Sequence, residues 1–241
     1  MRIRKILTVG VVMMAMLMAE TACGSKGDRT QIAKEALESK YNEEFEVTEV
    51  YDNNDRWEAF NAIAYSETNP EILVYARVEN DGSYVADNYL SKIMGAKIAD
   101  VVDGNMGGLL GASYIYVSSL SEDMGISDLS ISISDYAQFN PRNKFTISIY
   151  YSPEENNAEY VYDRLAGCLK GLEMLNGYIF LHVIDEKNLH SIQEYIETHA
   201  FYEQDDYRQY LDNELKIQIG YSDGKIDMTR DEFVRKAGNA I

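Results

Sequence analysis

Few side chains in this sequence are of the types that do chemistry, and their spacing decides what they can do. The chain holds two cysteines, Cys23 and Cys168, and three histidines, His182, His190 and His199, against 40 aspartates and glutamates. Three imidazoles would suit zinc, but zinc sites gather their ligands at spacings such as HExxH, and none is present. His190 and His199 are about two and a half helical turns apart, so on one helix they point to nearly opposite faces. Cys168 sits in EYVYDRLAGCLKGLEML, where Val161, Leu165, Cys168, Leu169 and Leu172 recur at helical spacing. A nucleophilic thiol needs a basic or helix-N-terminal setting; this pattern predicts a buried mid-helix thiol packed as a small hydrophobe. No serine lies in a Gly-x-Ser-x-Gly elbow. Gly104, Gly107, Gly108 and Gly111 match neither a phosphate loop nor a dinucleotide fingerprint. DNNDRW, Asp52 to Trp57, lacks the glycine and the distal glutamate of a calcium loop and reads as an Asx-rich turn. The sequence predicts no catalytic residue, no cofactor and no metal.

Cys23 is the exception, because its surroundings suggest attachment rather than packing. Arg2, Arg4 and Lys5 open the chain, and Ile6 to Ala19 is uncharged and apolar. As a helix that run spans roughly 21 Å, short of the ~30 Å hydrocarbon core, which is the pattern of a secretory signal. Ala22-Cys23-Gly24-Ser25, followed by Lys26, Gly27 and Asp28, resembles the lipobox of bacterial lipoproteins. Glu20 stands where that family has leucine or another apolar residue. The resemblance implies that Cys23 receives a diacylglycerol and becomes the mature N-terminus, lipid-anchored on the extracytoplasmic face of the cell membrane. Cleavage after Gly24 as a plain signal, and retention as an uncleaved anchor, are the other readings of the same leader. With Cys23 lipidated, Cys168 has no disulfide partner.

Charge narrows the partners. The formal charge is −18, and the leader residues 1–22 are net basic, so the rest of the chain is more acidic still. Such a chain is repelled by phosphate backbones and anionic lipid surfaces, which excludes nucleic acid and leaves the N-terminal lipid as the membrane contact. Nineteen tyrosines are the one compositional excess. Tyrosine fills strand faces in α+β proteins, and it also serves binding surfaces, where its ring buries area with few rotamers. AFYEQDDYRQYLDNE, aromatic and acidic together, is the candidate interaction surface, with Tyr202, Tyr207 and Tyr210 its rings. A protein or cell-wall component is the partner such a surface would take.

The elements that must position these groups form an α+β chain. DRTQIAKEALESKY predicts a helix on Ile32, Ala36 or Leu37, and Tyr41, with Asp28 or Thr30 as N-cap. EEFEVTEVY, RWEAFNAIAYS and EILVYARVEN read as three antiparallel strands, the last two separated by Asn69-Pro70. A second helix follows on Leu90, Ile93, Met94, Ile98 and Val101, stopped near Gly104. This order, with YNEEFEV and ARVENDGSYVADNYL, resembles the cystatin-like and PepSY-like modules of Gram-positive exported lipoproteins; the resemblance implies an inhibitor-like role, since cystatins act as protease inhibitors. The segment from Asn105 to Pro141 reads as a Gly- and Ser-rich junction entering a strand near Ala112. Beyond it KFTISIYY is a half-buried strand, a helix covers about Asn157 to Leu175, and YIFLHVI is an apolar strand. A helix from near Asn188, the strand ELKIQIGYS, a turn at Asp223-Gly224 and a capped last helix at Thr229 complete a β-α-β-α-β layer, βαβ-type or ferredoxin-like.

The predicted organisation is therefore a signal peptide at 1–22, an anchor linker at 23–29, an α+β module at 30–110 and an α/β module at 111–241. The predicted function is a lipid-anchored, non-enzymatic binding role of inhibitor or immunity type. The alternative is a secreted hydrolase working with dispersed carboxylates, which would reveal itself as two close, desolvated acids in a deep pocket.

Overall fold

Helix α1 (Lys26–Tyr41) buries Ala33, Ala36, Leu37 and Tyr41, one stripe at helical spacing, and ends where Asn42 takes a left-handed conformation at φ 54°. It begins earlier than its sequence suggests: Asp28 lies in the first turn, where its charge favours the helix N-terminus, and neither Asp28 nor Thr30 is the cap. The computed structural model describes residues 26–52, 58–106, 113–119, 125–139, 144–152, 157–198 and 215–238. Within them the chain is an α+β fold with two sheets, a four-stranded antiparallel meander and a five-stranded mixed sheet interleaved with helices.

The meander runs β1 (Phe45–Asp52), β2 (Ala59–Ser66), β3 (Leu73–Glu79) and β4 (Val85–Asp87), each paired with the next. Strand β4 is an addition to the three strands read from sequence, too short to show alternation. Phe45, Val50, Phe60, Ala62, Ala64, Val74, Ala76 and Val78 face inward under α1 and are buried. Edge strand β1 carries a bulge between Val47 and Glu49 and shows Glu46 and Glu49 to solvent, which blunts it against pairing with another chain.

Helix α2 (Tyr89–Met106) runs through Gly104 rather than stopping there, and buries Leu90, Met94, Ile98 and Val102. It packs along β5 (Ser113–Ser119) and also touches β3, so it lies at the seam between the two halves. Contact is close: a Cβ at Gly95 would overlap the carbonyl of Val117. Asn105 Nδ2 donates to the carbonyls of Cys168 at 3.0 Å and Lys170 at 2.8 Å, pinning the helix end to the second half. Buried side chains of both halves form one continuous apolar core.

The segment read as a junction contains β5 and a short helix, α3 (Ile133–Phe139), which Ser132 caps by accepting from the Asp135 amide. The second sheet is ordered β5, β6 (Phe145–Tyr151), β7 (Gly177–Val183), β8 (Leu215–Ser222) and β9 (Lys225–Ile226). Only β6 and β7 are parallel, joined by α4 (Ala158–Gly167) in a βαβ unit. Because the strands follow in chain order, the ferredoxin-like alternative, whose strands interleave, is not the topology. Helix α4 ends at Gly167, and Cys168 is its C-cap rather than a mid-helix residue; the stretch on to Leu175 is a set of turns that includes Gly171 at φ 86°. Helix α5 (Glu186–Thr198) lies over the opposite face of this sheet, packing on β5 and β6. Thr229 caps α6 (Arg230–Ala237), accepting from the Glu232 amide as its sequence predicts. Strand β6 is buried on both faces, not half-buried, because α5 covers the side that carries Tyr150.

Candidate binding cleft at the seam

Cys23, Tyr202, Tyr207, Tyr210 and His199 lie outside the described residues. His182 is buried on β7 and His190 is exposed on α5, so these two imidazoles are not brought together. Among the described residues no three His, Cys, Asp or Glu side chains are grouped to hold a metal ion. Cys168 is fully buried, and burial pushes its thiol up to about 12, which keeps it protonated and unreactive at neutral pH. Asp52, at the head of the DNNDRW stretch, is ion-paired with Arg29.

Two carboxylates are drawn into the first half. The Asp87 carboxylate accepts from Lys40 Nζ at 2.7 Å, from the Tyr41 hydroxyl at 2.7 Å and from the Tyr89 amide at 2.9 Å. Glu43 Oε2 accepts from Ser66 Oγ at 2.6 Å and from the Tyr89 hydroxyl at 2.7 Å, and Asn69 Nδ2 donates to that same hydroxyl at 2.6 Å. Burial raises the Tyr89 phenol to about 12. The rings of Tyr41, Phe45 and Tyr89 meet edge-on or tilted, closing the apolar side of this network. Both carboxylates are thus held by donors fixed in the fold, an arrangement that locks α1 to the start of α2 and leaves neither acid poised over a substrate.

One concave feature among the described residues lies elsewhere. A cleft of about 280 Å³ opens where α2, β5, α5 and the Glu71–Ile72 turn converge. Helix α2 lines it with Lys92, Ala96 and Asp100, which fall four residues apart and so share one face. Strand β5 contributes Tyr114, Ile115, Tyr116 and Val117, and α5 contributes Ile196 and Glu197. The short side chains of Ala96 and Ala99 leave space that the cleft occupies.

Tyr114 is held from behind. It lies opposite Tyr150, which lies opposite His182, which lies opposite Lys216, a row of cross-strand neighbours over four strands. Tyr114 stacks on Tyr150 at 6.2 Å between centroids, and Tyr150 on His182 at 4.6 Å. Burial raises the Tyr114 phenol well above its ordinary value, with the negative charge of Glu197 adding to the shift. Burial, reinforced by the charge of Lys216, lowers the His182 imidazole to about 3, so it stays neutral within the stack. Lys92 donates to the Leu73 carbonyl at 2.7 Å, and burial lowers its ammonium to about 8.

Tyr114 and Tyr116 belong to the tyrosine excess visible in the sequence. Lys92, Glu71, Asp100 and Glu197 were not legible as a group, because they come from three separated segments. The one available signal was the Lys92, Ala96, Asp100 stripe on a helix whose other face is apolar.

No protein-family description matches the chain, and no curated protein matches it. Among solved structures it is similar to a DUF5037 family protein from Ruminococcus gnavus ATCC 29149, with a TM-score of 0.65 at 13% identity, covering 86% of this chain and 98% of that one. At that identity the likeness concerns the fold, and it connects the chain to no enzyme family. No helix among the described residues is long and apolar enough to cross a membrane.

Proposed function

We propose that the protein is a lipid-anchored extracytoplasmic binding protein that works without catalysis and takes a small ligand in the cleft between α2, β5 and α5. The observation that carries the reading is that cleft: a concavity of about 280 Å³ at the junction of two halves, with apolar walls and a few convergent polar groups. Ligand sites favour such junctions and such linings. The groups best suited to covalent or acid–base chemistry, Cys168 and His182, are buried and shifted away from their reactive forms, which supports a role in binding rather than turnover. The leader and Cys23 support the location. Two acyl chains on Cys23 would hold firmly, at about 0.8 kcal/mol per buried CH₂, and the acidic body offers anionic lipid no electrostatic substitute.

The test has two parts. Cys23→Ala should move the protein from the membrane fraction to the medium or leave an unprocessed precursor; a variant that stays membrane-bound with no mass change beyond the substitution removes the anchor from the proposal. Native mass spectrometry of the full chain, extracted in a neutral detergent, should show a small bound molecule that is lost in Ala96→Trp, which fills the cleft. A molecule retained by that variant would place binding elsewhere.

A further inference from the structure

The cleft contains more information about its ligand than its shape. Its walls include Ile72, Ala96, Ala99 and Ile196, an apolar bed for a hydrocarbon body. Its polar groups are unequal in sign. Glu71, Asp100 and Glu197 come from three different elements, and no cation among the described residues pairs with any of them. Glu197 is held in place by Gln193 Nε2, which donates to it at 2.9 Å. The single cation in the lining, Lys92, is turned to the Leu73 carbonyl. Burial lowers its ammonium value. Tyr114, Ile115, Tyr116 and Val117 of β5 complete the lining, and the Tyr114 ring is fixed by its stack on Tyr150.

Tyrosines beside carboxylates that have no cation partner among the described residues, over an apolar bed, are the elements of a cation-binding cage, and the attraction of an ammonium to an aromatic face grows as water is excluded. The net negative field of the chain adds to this by raising the local concentration of cations. An anionic ligand would meet three carboxylates and one already engaged lysine. A neutral ligand would make no use of the three carboxylates, which have no cation partner among the described residues.

Resting on the binding role proposed above, we infer that the cleft takes a positively charged aliphatic amine, its ammonium group between Tyr114, Tyr116 and Glu197 and its hydrocarbon part along Ala96, Ala99 and Ile196. The same chemistry is offered by a free small amine and by the lysine side chain of a peptide, and the probes separate the two.

The experiment is titration calorimetry of the full chain in neutral detergent with choline, cadaverine and Nα-acetyl-lysine methylamide, and with 3,3-dimethylbutanol as the uncharged match to choline. At least one amine should bind saturably at one site, weaken as salt is raised, and exceed the uncharged probe by about tenfold or more. Tightest binding of the lysine derivative assigns the ligand to a peptide; tightest binding of choline or cadaverine assigns it to a free amine. Tyr114→Leu and Glu197→Gln should each weaken the amine by about tenfold. Glu197 is exposed, so its variant keeps the fold even if the change at Tyr114 disturbs it. No binding by any amine, equal binding of the uncharged probe, or an unchanged affinity in Glu197→Gln overturns the inference. A neutral or anionic molecule found in the cleft by mass spectrometry would overturn it too, while leaving the binding role in place.

Discussion

Strands β2 and β7 each sit inside a sheet, yet they read differently as sequence and are buried differently. In AFNAIAYS the buried Phe60, Ala62 and Ala64 alternate with Asn61, Ile63 and Tyr65, the last two only half-buried, and no helix among the described residues packs on their side. In GYIFLHV the inner residues Ile179, Leu181 and Val183 are buried, and so is the outward His182, which stacks on Tyr150. The meander has one covered face, and the mixed sheet has two along the part that α5 spans. A parallel pair requires a crossover helix, and sheets containing such pairs tend to be layered on both faces, whereas a meander of hairpins leaves one face open without penalty. The outward-facing residues reflect this difference. On the mixed sheet they form a stacked row from Tyr114 to His182, and on the meander they form a set of half-exposed rings with Arg77 among them.

The contrast is broken most severely at the start of the parallel pair. A Cβ at Gly177 would overlap the backbone of Phe145 on the adjoining strand, so Gly177→Ala should cost more than about 4 kcal/mol in urea unfolding or prevent folding. A loss under about 1 kcal/mol would mean that β6 and β7 separate there at little cost. The face difference itself is tested by a matched pair. Tyr150→Ala, outward on β6 and fully buried, should cost about 3 kcal/mol, and Tyr65→Ala, outward on β2 and half-exposed, less than about 1 kcal/mol. Equal losses would show that the outer face of the meander is covered as well.

Much of this layout was legible. Alternation at Phe145, Ile147 and Ile149, the left-handed turn at Asp223-Gly224 and the Thr229 cap are local signals, and local chemistry decided them. Three features needed the tertiary context. Strand β4 is held by pairing with β3 and by the donors around Asp87, not by its own three residues. Helix α4 stops at Gly167 because Cys168 and Leu172 are drawn into the core through turns, although their spacing would also continue a helix. The double burial of β6 depends on α5, some forty residues further along the chain, and a strand cannot advertise what will cover it. The cleft was illegible for a similar reason: its acids are ordinary surface residues until α2, β5 and α5 meet.

The comparison is also sharpened through pH. His182 has a folded value of about 3 against 6.5 for the free side chain, so between those limits the unfolded chain takes up a proton that the folded chain refuses. Its contribution to stability is therefore complete above about pH 6.5 and is lost as pH falls toward 3, at up to about 1.4 kcal/mol per unit. His182→Phe keeps a ring against Tyr150 and Phe180 and removes the proton site. Its unfolding free energy should fall less steeply than the parent's between about pH 6 and pH 4. Parallel pH profiles would show that protons reach His182 in the folded sheet.

The seat of Gly95 against Val117 bears on how this chain can vary over generations. Helix α2 is encoded with the meander, yet it is fitted to a strand that the later half supplies, with no room at the contact for even one added carbon. A recombination event that joined this meander to a different second half would therefore inherit a helix shaped at Gly95 for a missing neighbour. The two halves must travel, and change, together.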